Sequence, residues 1–92
     1  MWEVFELSEV TKMLRKLPVE VLRKYKIWVE VVKNGGPHNL RNYPGFKDEK
    51  LHGKLREFRS SRLNIQFRVI YKSESAIKTV FVERVTPHEY KK

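Results

Sequence analysis

The chain contains no cysteine. Disulfide bridges and thiolate metal sites are therefore excluded, and a cytoplasmic location is the simpler expectation. Aspartate occurs once, as Asp48, whereas a two-metal hydrolytic centre needs clustered carboxylates. The histidines are His38, His52 and His88, and they do not have the spacing of metal ligands. A glycine-rich phosphate loop and a nucleophile elbow are also missing. An enzymatic activity in this chain is thus expected to use neither metal nor cofactor. No apolar run approaches the ~18 residues of a membrane helix, and no basic region followed by an apolar one opens the chain.

What the chain does have is positive charge. Lys and Arg number 20 against 11 Asp and Glu, a formal net charge of +9. Residues 1–46 carry 8 basic and 5 acidic side chains, net +3, whereas residues 47–92 carry 12 and 6, net +6. A basic surplus concentrated in one half points to a polyanionic partner, nucleic acid before acidic protein. Hydrophobic residues make up 40% and recur along the whole chain, so residues 1–92 are expected to form one globular domain.

Residues 2–7 alternate, with Trp2, Val4 and Glu6 set against Glu3, Phe5 and Leu7, which predicts a first strand. Ser8 stands where a helix N-cap belongs. Val10, Met13, Leu14 and Leu17 follow at helical spacing. Pro18 ends that helix and opens the next, whose apolar stripe is Val21, Leu22, Tyr25, Trp28, Val29 and Val32. Asn34-Gly35-Gly36-Pro37 stops it. Residues 38–49 read mostly as loop, with Lys50-Leu51-His52-Gly53 as a strand end and turn. Residues 55–62 read as a basic strand near an edge. Residues 63–72 read as the organising strand, with Leu63, Ile65, Phe67, Val69 and Tyr71 on the core face and Asn64, Gln66, Arg68, Ile70 and Lys72 on the other. Ser73-Glu74-Ser75 is a tight connection, residues 77–85 are a central strand, and Thr86-Pro87-His88-Glu89 has the form of a helix start. The expected fold is α+β, in the order β-α-α-β-β-β, with a helical hairpin on one face of a small, mostly antiparallel sheet.

Lys47, Lys50, Lys54, Arg56, Arg59, Arg62 and Arg68, rejoined by Arg84, form a basic array interleaved with Phe58 and Tyr71. Cations neutralise phosphates and aromatic faces stack on unpaired bases, so RNA is the expected ligand. Arg68 is the strongest of these candidates, because the middle of an apolar strand is a costly place for a cation. For any other single residue the competing reading is a solvated strand face. His88 can exchange a proton near neutral pH, and Tyr90 can stack on a base or cover the end of the core.

Lys50-Leu51-His52-Gly53, Phe67-Arg68-Val69-Ile70-Tyr71, Val80-Phe81-Val82-Glu83-Arg84 and His88-Glu89-Tyr90, taken in order, resemble the RelE/ParE superfamily of bacterial toxins along nearly the whole chain. In the nuclease branch of that family the toxin enters the ribosomal A site and cuts the bound mRNA, the 2′-hydroxyl attacking the adjacent phosphate. The resemblance implies that Arg68 steadies the charged transition state and that Arg84 assists charge neutralisation or leaving-group protonation. It implies that Tyr90 stacks on the target nucleotide, and that His88 is a candidate general acid or base. Lys47, Lys50, His52, Lys54, Arg56, Arg59 and Arg62 are the expected RNA contacts. Where some members keep paired lysines, this chain has Arg56, Glu57, Arg59 and Ser61. The general base stays open among His52, Lys54, Glu57 and His88. The implied partners are a cognate antitoxin, the ribosome and A-site mRNA. The alternatives are a gyrase-binding toxin of the ParE kind, which cuts nothing, and a plain RNA-binding module.

Overall fold

The computed structural model describes residues 1–87. In chain order its strands and α-helices are β1 (Glu3–Glu6), α1 (Ser8–Leu14), α2 (Val19–Gly35), β2 (Glu49–Lys50), β3 (Arg59–Arg62), β4 (Phe67–Glu74) and β5 (Thr79–Pro87). The sheet runs β1-β5-β4-β3-β2. β1 pairs with β5 in parallel and every other pairing is antiparallel. The expected α+β order holds, with β2 added as a two-residue edge.

One core cluster joins the helices to one face of the sheet. α2 contributes Val21, Tyr25, Trp28, Val31 and Val32, and the sheet contributes Val69, Tyr71, Val80, Val82 and Val85. Full burial of such side chains stabilises by roughly 1.5–3 kcal/mol each, and Trp28 sits at the centre. Its ring stacks on Tyr25 at 5.9 Å and meets the edge of Tyr71 at 5.3 Å. Glu6 ties the first three elements together by accepting from the Tyr25 hydroxyl (2.7 Å) and the Thr11 hydroxyl (3.1 Å).

Several expectations need correction, each for a local reason. The organising strand starts at Phe67, not Leu63. Residues 63–66 are the turn from β3 to β4, because the Asn64 side chain accepts from the backbone amides of Gln66 (2.8 Å) and Phe67 (2.7 Å). An asparagine that bonds its own backbone in this way builds a turn. Ile65 is consequently 81% exposed rather than in the core, whereas Leu63, Val69 and Tyr71 are buried as expected. The strand expected over 55–62 is only Arg59–Arg62, since Gly53–Leu55 forms a short 3₁₀ turn ahead of it. Two further 3₁₀ turns, Pro37–Asn42 and Pro44–Phe46, occupy much of the expected loop.

Leu7, not Ser8, is the N-cap of α1, and no side chain caps it. The last connection lies at Ser75–Ile77, two residues later than expected. Thr86 and Pro87 belong to β5 instead of starting a helix; His88 and Glu89 lie outside the described residues.

Gly36 closes α2 at φ 78° and ψ −179°, a backbone region nearly exclusive to glycine. A Cβ there would lie 2.7 Å from the Trp2 ring. Gly36→Ala is expected to destabilise by roughly 1–3 kcal/mol or more. At Gly45 a Cβ meets nothing within 4 Å, so Gly45→Ala should leave the thermal midpoint unchanged or slightly raised. Parallel thermal melts check the pair.

Candidate RNA-binding face

Alternation along β4 separates two chemistries. Val69 and Tyr71 enter the core, so Arg68, Ile70 and Lys72 emerge on the opposite face of the sheet. The register then decides what joins them. Arg62 lies directly opposite Arg68, Thr86 flanks Arg68 on the other side, and Arg84 lies opposite Ile70. Directly paired residues have Cα atoms roughly 4.5–5.5 Å apart. Three strands thus bring Arg62, Arg68 and Arg84 to neighbouring positions on one face. Arg62 and Arg68 are half-buried, Arg84 is exposed, and the Arg68 Nε is shielded from solvent. Like charges placed directly across a sheet destabilise it by roughly 0.2–1 kcal/mol, so the Arg62–Arg68 pairing is an arrangement that favours an anion.

The basic character continues at the β3–β4 turn. A shallow groove there is lined by Lys24, Lys47, Arg62, Asn64 and Ile65 among others. Lys47 takes a left-handed backbone conformation, φ 46°. Lys24 comes from α2, where its ammonium stands 5.3 Å from the centre of the Phe46 ring; nothing in the local sequence singled it out. Lys72, also outside the expected contact set, sits over Phe58 at 5.6 Å and 3.9 Å from Glu57. The strand alternation that exposed Arg68 placed Lys72 on the same face.

Other expected contacts are placed elsewhere. Arg59 points to the helix side with Tyr71, its register partner, and its Nε donates to Asp48 at 2.8 Å. Lys50 pairs with Arg59. His52, Lys54 and Arg56 are exposed in the connection between β2 and β3, where Arg56 donates to the Gly53 carbonyl at 3.3 Å. His88 and Tyr90 lie outside the described residues. Among the described residues, no group of three His, Cys, Asp or Glu side chains could hold a metal ion.

Asp48 is the residue that sequence reasoning passed over. Its Oδ1 accepts from the hydroxyls of Ser61 (2.7 Å) and Tyr71 (2.5 Å), and its Oδ2 accepts from Arg59. Ser61 in turn accepts from the Trp28 indole N–H at 2.9 Å. Burial pushes the Tyr71 hydroxyl well above the usual tyrosine range, and the hydrogen bond to Asp48 and its charge push the same way. Burial alone would lower the Arg59 pKa, but the hydrogen bond to Asp48 and its charge outweigh it and the net shift is upward. Tyr25 is also raised, by burial first and by Glu6 second.

No protein-family model and no curated protein sequence matches the chain. Solved structures do. The archaeal RelE–RelB complex from Pyrococcus horikoshii contains a chain with a TM-score of 0.75 at 23% identity, covering 94% of this chain and 93% of that one. A chain of the YoeB–YefM complex from Staphylococcus aureus matches at 0.74 and 15% identity, covering 97% and 99%. YafQ from E. coli matches at 0.74 and 19% identity, covering 96% and 94%. The fold is therefore that of the RelE/ParE toxins, as the sequence resemblance implied.

The two faces of the sheet predict opposite mutational outcomes. Asp48→Ala leaves the buried Ser61 and Tyr71 hydroxyls, on β3 and β4, without their acceptor and should cost roughly 1–3 kcal/mol for each. Arg68→Ala should change stability by about 1 kcal/mol or less. Denaturant titrations of the two variants check the contrast.

A pH titration tests the raised tyrosines. A folded-state pKa above the unfolded value of about 10 contributes stability that is present below pH ~10 and is lost as pH rises beyond it. Tyr25 and Tyr71 should form tyrosinate only together with alkaline unfolding, seen as coincident absorbance and circular-dichroism transitions.

Proposed function

We propose that this chain is the toxin of a type II toxin–antitoxin pair and acts as a ribosome-dependent, metal-independent mRNA endonuclease. The observation that carries the reading is the Arg62–Arg68–Arg84 cluster. Three cations converge from three strands on a face that the core does not need, and the fold that holds them is RelE-like.

The chemistry suits such a cluster. The mRNA 2′-hydroxyl attacks the adjacent phosphorus, a new P–O bond forms, and the bond to the 5′-oxygen of the next nucleotide breaks. A 2′,3′-cyclic phosphate and a 5′-hydroxyl result. Negative charge grows on the non-bridging oxygens as the phosphorus becomes five-coordinate. Guanidinium groups held in place on a rigid sheet stabilise that charge without reorganising, which is the largest electrostatic contribution expected of such a site. Arg68 has a register partner on each side, Arg62 and Thr86, whereas Arg62 and Arg84 are each paired only to β4; Arg68 is therefore the most rigidly held of the three and is assigned the phosphate. Arg62 and Arg84 flank it. By resemblance, His88 serves as acid or base and Tyr90 stacks on the target base. His52, Lys54, Glu57 and His88 remain the candidates for the base.

Induced expression should arrest translation and leave messages cut at ribosome-bound sites, mapped by primer extension with and without a start codon. Arg68→Ala loses one or more charge-assisted contacts worth roughly 1.5–3 kcal/mol each, so cleavage should slow about tenfold or more per contact. Intact mRNA with accumulating broken DNA would instead indicate the gyrase-binding alternative.

The partner of this reading is an antitoxin. Two of the similar structures are toxin–antitoxin complexes by name, RelE with RelB and YoeB with YefM. A net charge of +9 favours an acidic or amphipathic segment over the basic face. Purification of the chain expressed from its native operon should yield a stoichiometric small protein; a non-toxic chain recovered alone at high yield would count against this.

A further inference from the structure

The face that carries the arginines also carries an aromatic row that the reading above does not use. Phe5 on β1 and Phe81 on β5 are register partners, and their rings meet edge to face at 5.9 Å. Phe81 in turn pairs with Lys72 on β4, and Lys72 sits over the Phe58 ring. Val80 and Val82 point into the core, so Phe81 is directed away from it. Phe5 is 57% exposed. Phe81 is half-buried, and neither ring belongs to the core cluster.

The face is graded along the strands. At one end Glu3, Thr79 and Glu74 share a rung. Next comes the aromatic rung of Phe5, Phe81 and Lys72. Beyond it lie the exposed Glu83 at the bulge and Arg84 beside Ile70, and then Arg68 between Thr86 and Arg62. From Lys72 to Arg68 is roughly 13 Å along the strand. Carboxylates at one end repel phosphates and guanidinium groups at the other attract them. Such a distribution favours a polyanion whose backbone lies toward the arginines.

We propose that Phe5 and Phe81 form a base-stacking platform for a nucleotide flanking the cleaved bond, with Lys72 on the adjoining phosphate. The proposal rests on the mRNA-cutting reading and extends it to how the single strand lies on the sheet. Successive bases stacked on exposed aromatics beside cations are the usual means of holding a single strand without reading its sequence. Exposed ring faces beside cations suit unpaired bases, which use both, better than an acidic protein segment, which uses the cations alone.

The test uses the full chain and ribosomes programmed with a synthetic message in single-turnover cleavage. Phe5→Leu and Phe81→Leu keep apolar bulk and remove the ring. Each should raise the half-saturating toxin concentration about tenfold, the size of one lost stack, and should do so more than it lowers the maximal rate. Phe5→Trp should retain wild-type saturation. A message lacking the base at one flanking position should weaken the wild type by a similar factor and Phe5→Leu hardly further, since the two changes remove one contact. Phe5 is mostly exposed, so its variants decide alone if Phe81→Leu melts early. Leucine variants that saturate like the wild type, while Arg68→Ala is impaired, overturn the platform and leave the endonuclease reading standing. A wild type that leaves ribosome-bound message intact overturns both. Leucine variants that cut normally but lose a co-expressed partner protein make this a protein-docking row and overturn the proposal.

Discussion

A single carboxylate holds the two halves of this protein in register. Asp48 lies just ahead of β2, yet it receives hydrogen bonds from β3 through Arg59 and Ser61 and from β4 through Tyr71. Through Ser61 it reaches the Trp28 indole at the centre of α2. Removing polar groups from water is costly unless each finds a partner, and here the indole, two hydroxyls, a guanidinium and a carboxylate satisfy one another. The network therefore accepts one alignment of β3 against β4. A slip of one residue would turn Ser61 and Tyr71 away from it.

That alignment has a consequence on the opposite face. With Ser61 and Tyr71 committed to the helix side, Arg62 and Arg68 must emerge on the other, directly across from each other. Stability and the candidate chemistry are thus divided between the two sides of one sheet, and the core side fixes the strand positions from which the arginines emerge. The bulge between Ile70 and Tyr71 in the β4–β5 pairing serves the same division. One extra residue on β5, Glu83, lets Val82 and Val85 both face the core while Arg84 stands beside Ile70.

Much of this was legible in the residues, and the failures were specific. Alternation in β4 correctly directed Arg68 away from the core, and the apolar stripe of α2 correctly named Val21, Tyr25, Trp28 and Val32. The same alternation extended the strand back to Leu63 and put Ile65 in the core, because a period of two cannot reveal that Asn64 has turned its amide oxygen onto the backbone. Arg59 counted as one more cation in a basic array. Only the folded chain shows it facing the helix side and bound to Asp48.

The sequence by itself determined the local matters. Hydrophobic spacing fixes which side of a strand or helix is buried, and glycine and proline set where α2 ends, because these effects act over a few neighbouring residues. It also determined the protein's own charge, +9, since net charge does not depend on fold. The tertiary structure alone decided which residues meet. Asp48 reaches Arg59, Ser61 and Tyr71 across 11, 13 and 23 residues, and Arg62, Arg68 and Arg84 gather from three strands. Strand order and register set those meetings, and they follow from the joint packing of every element around Trp28 rather than from any stretch read alone.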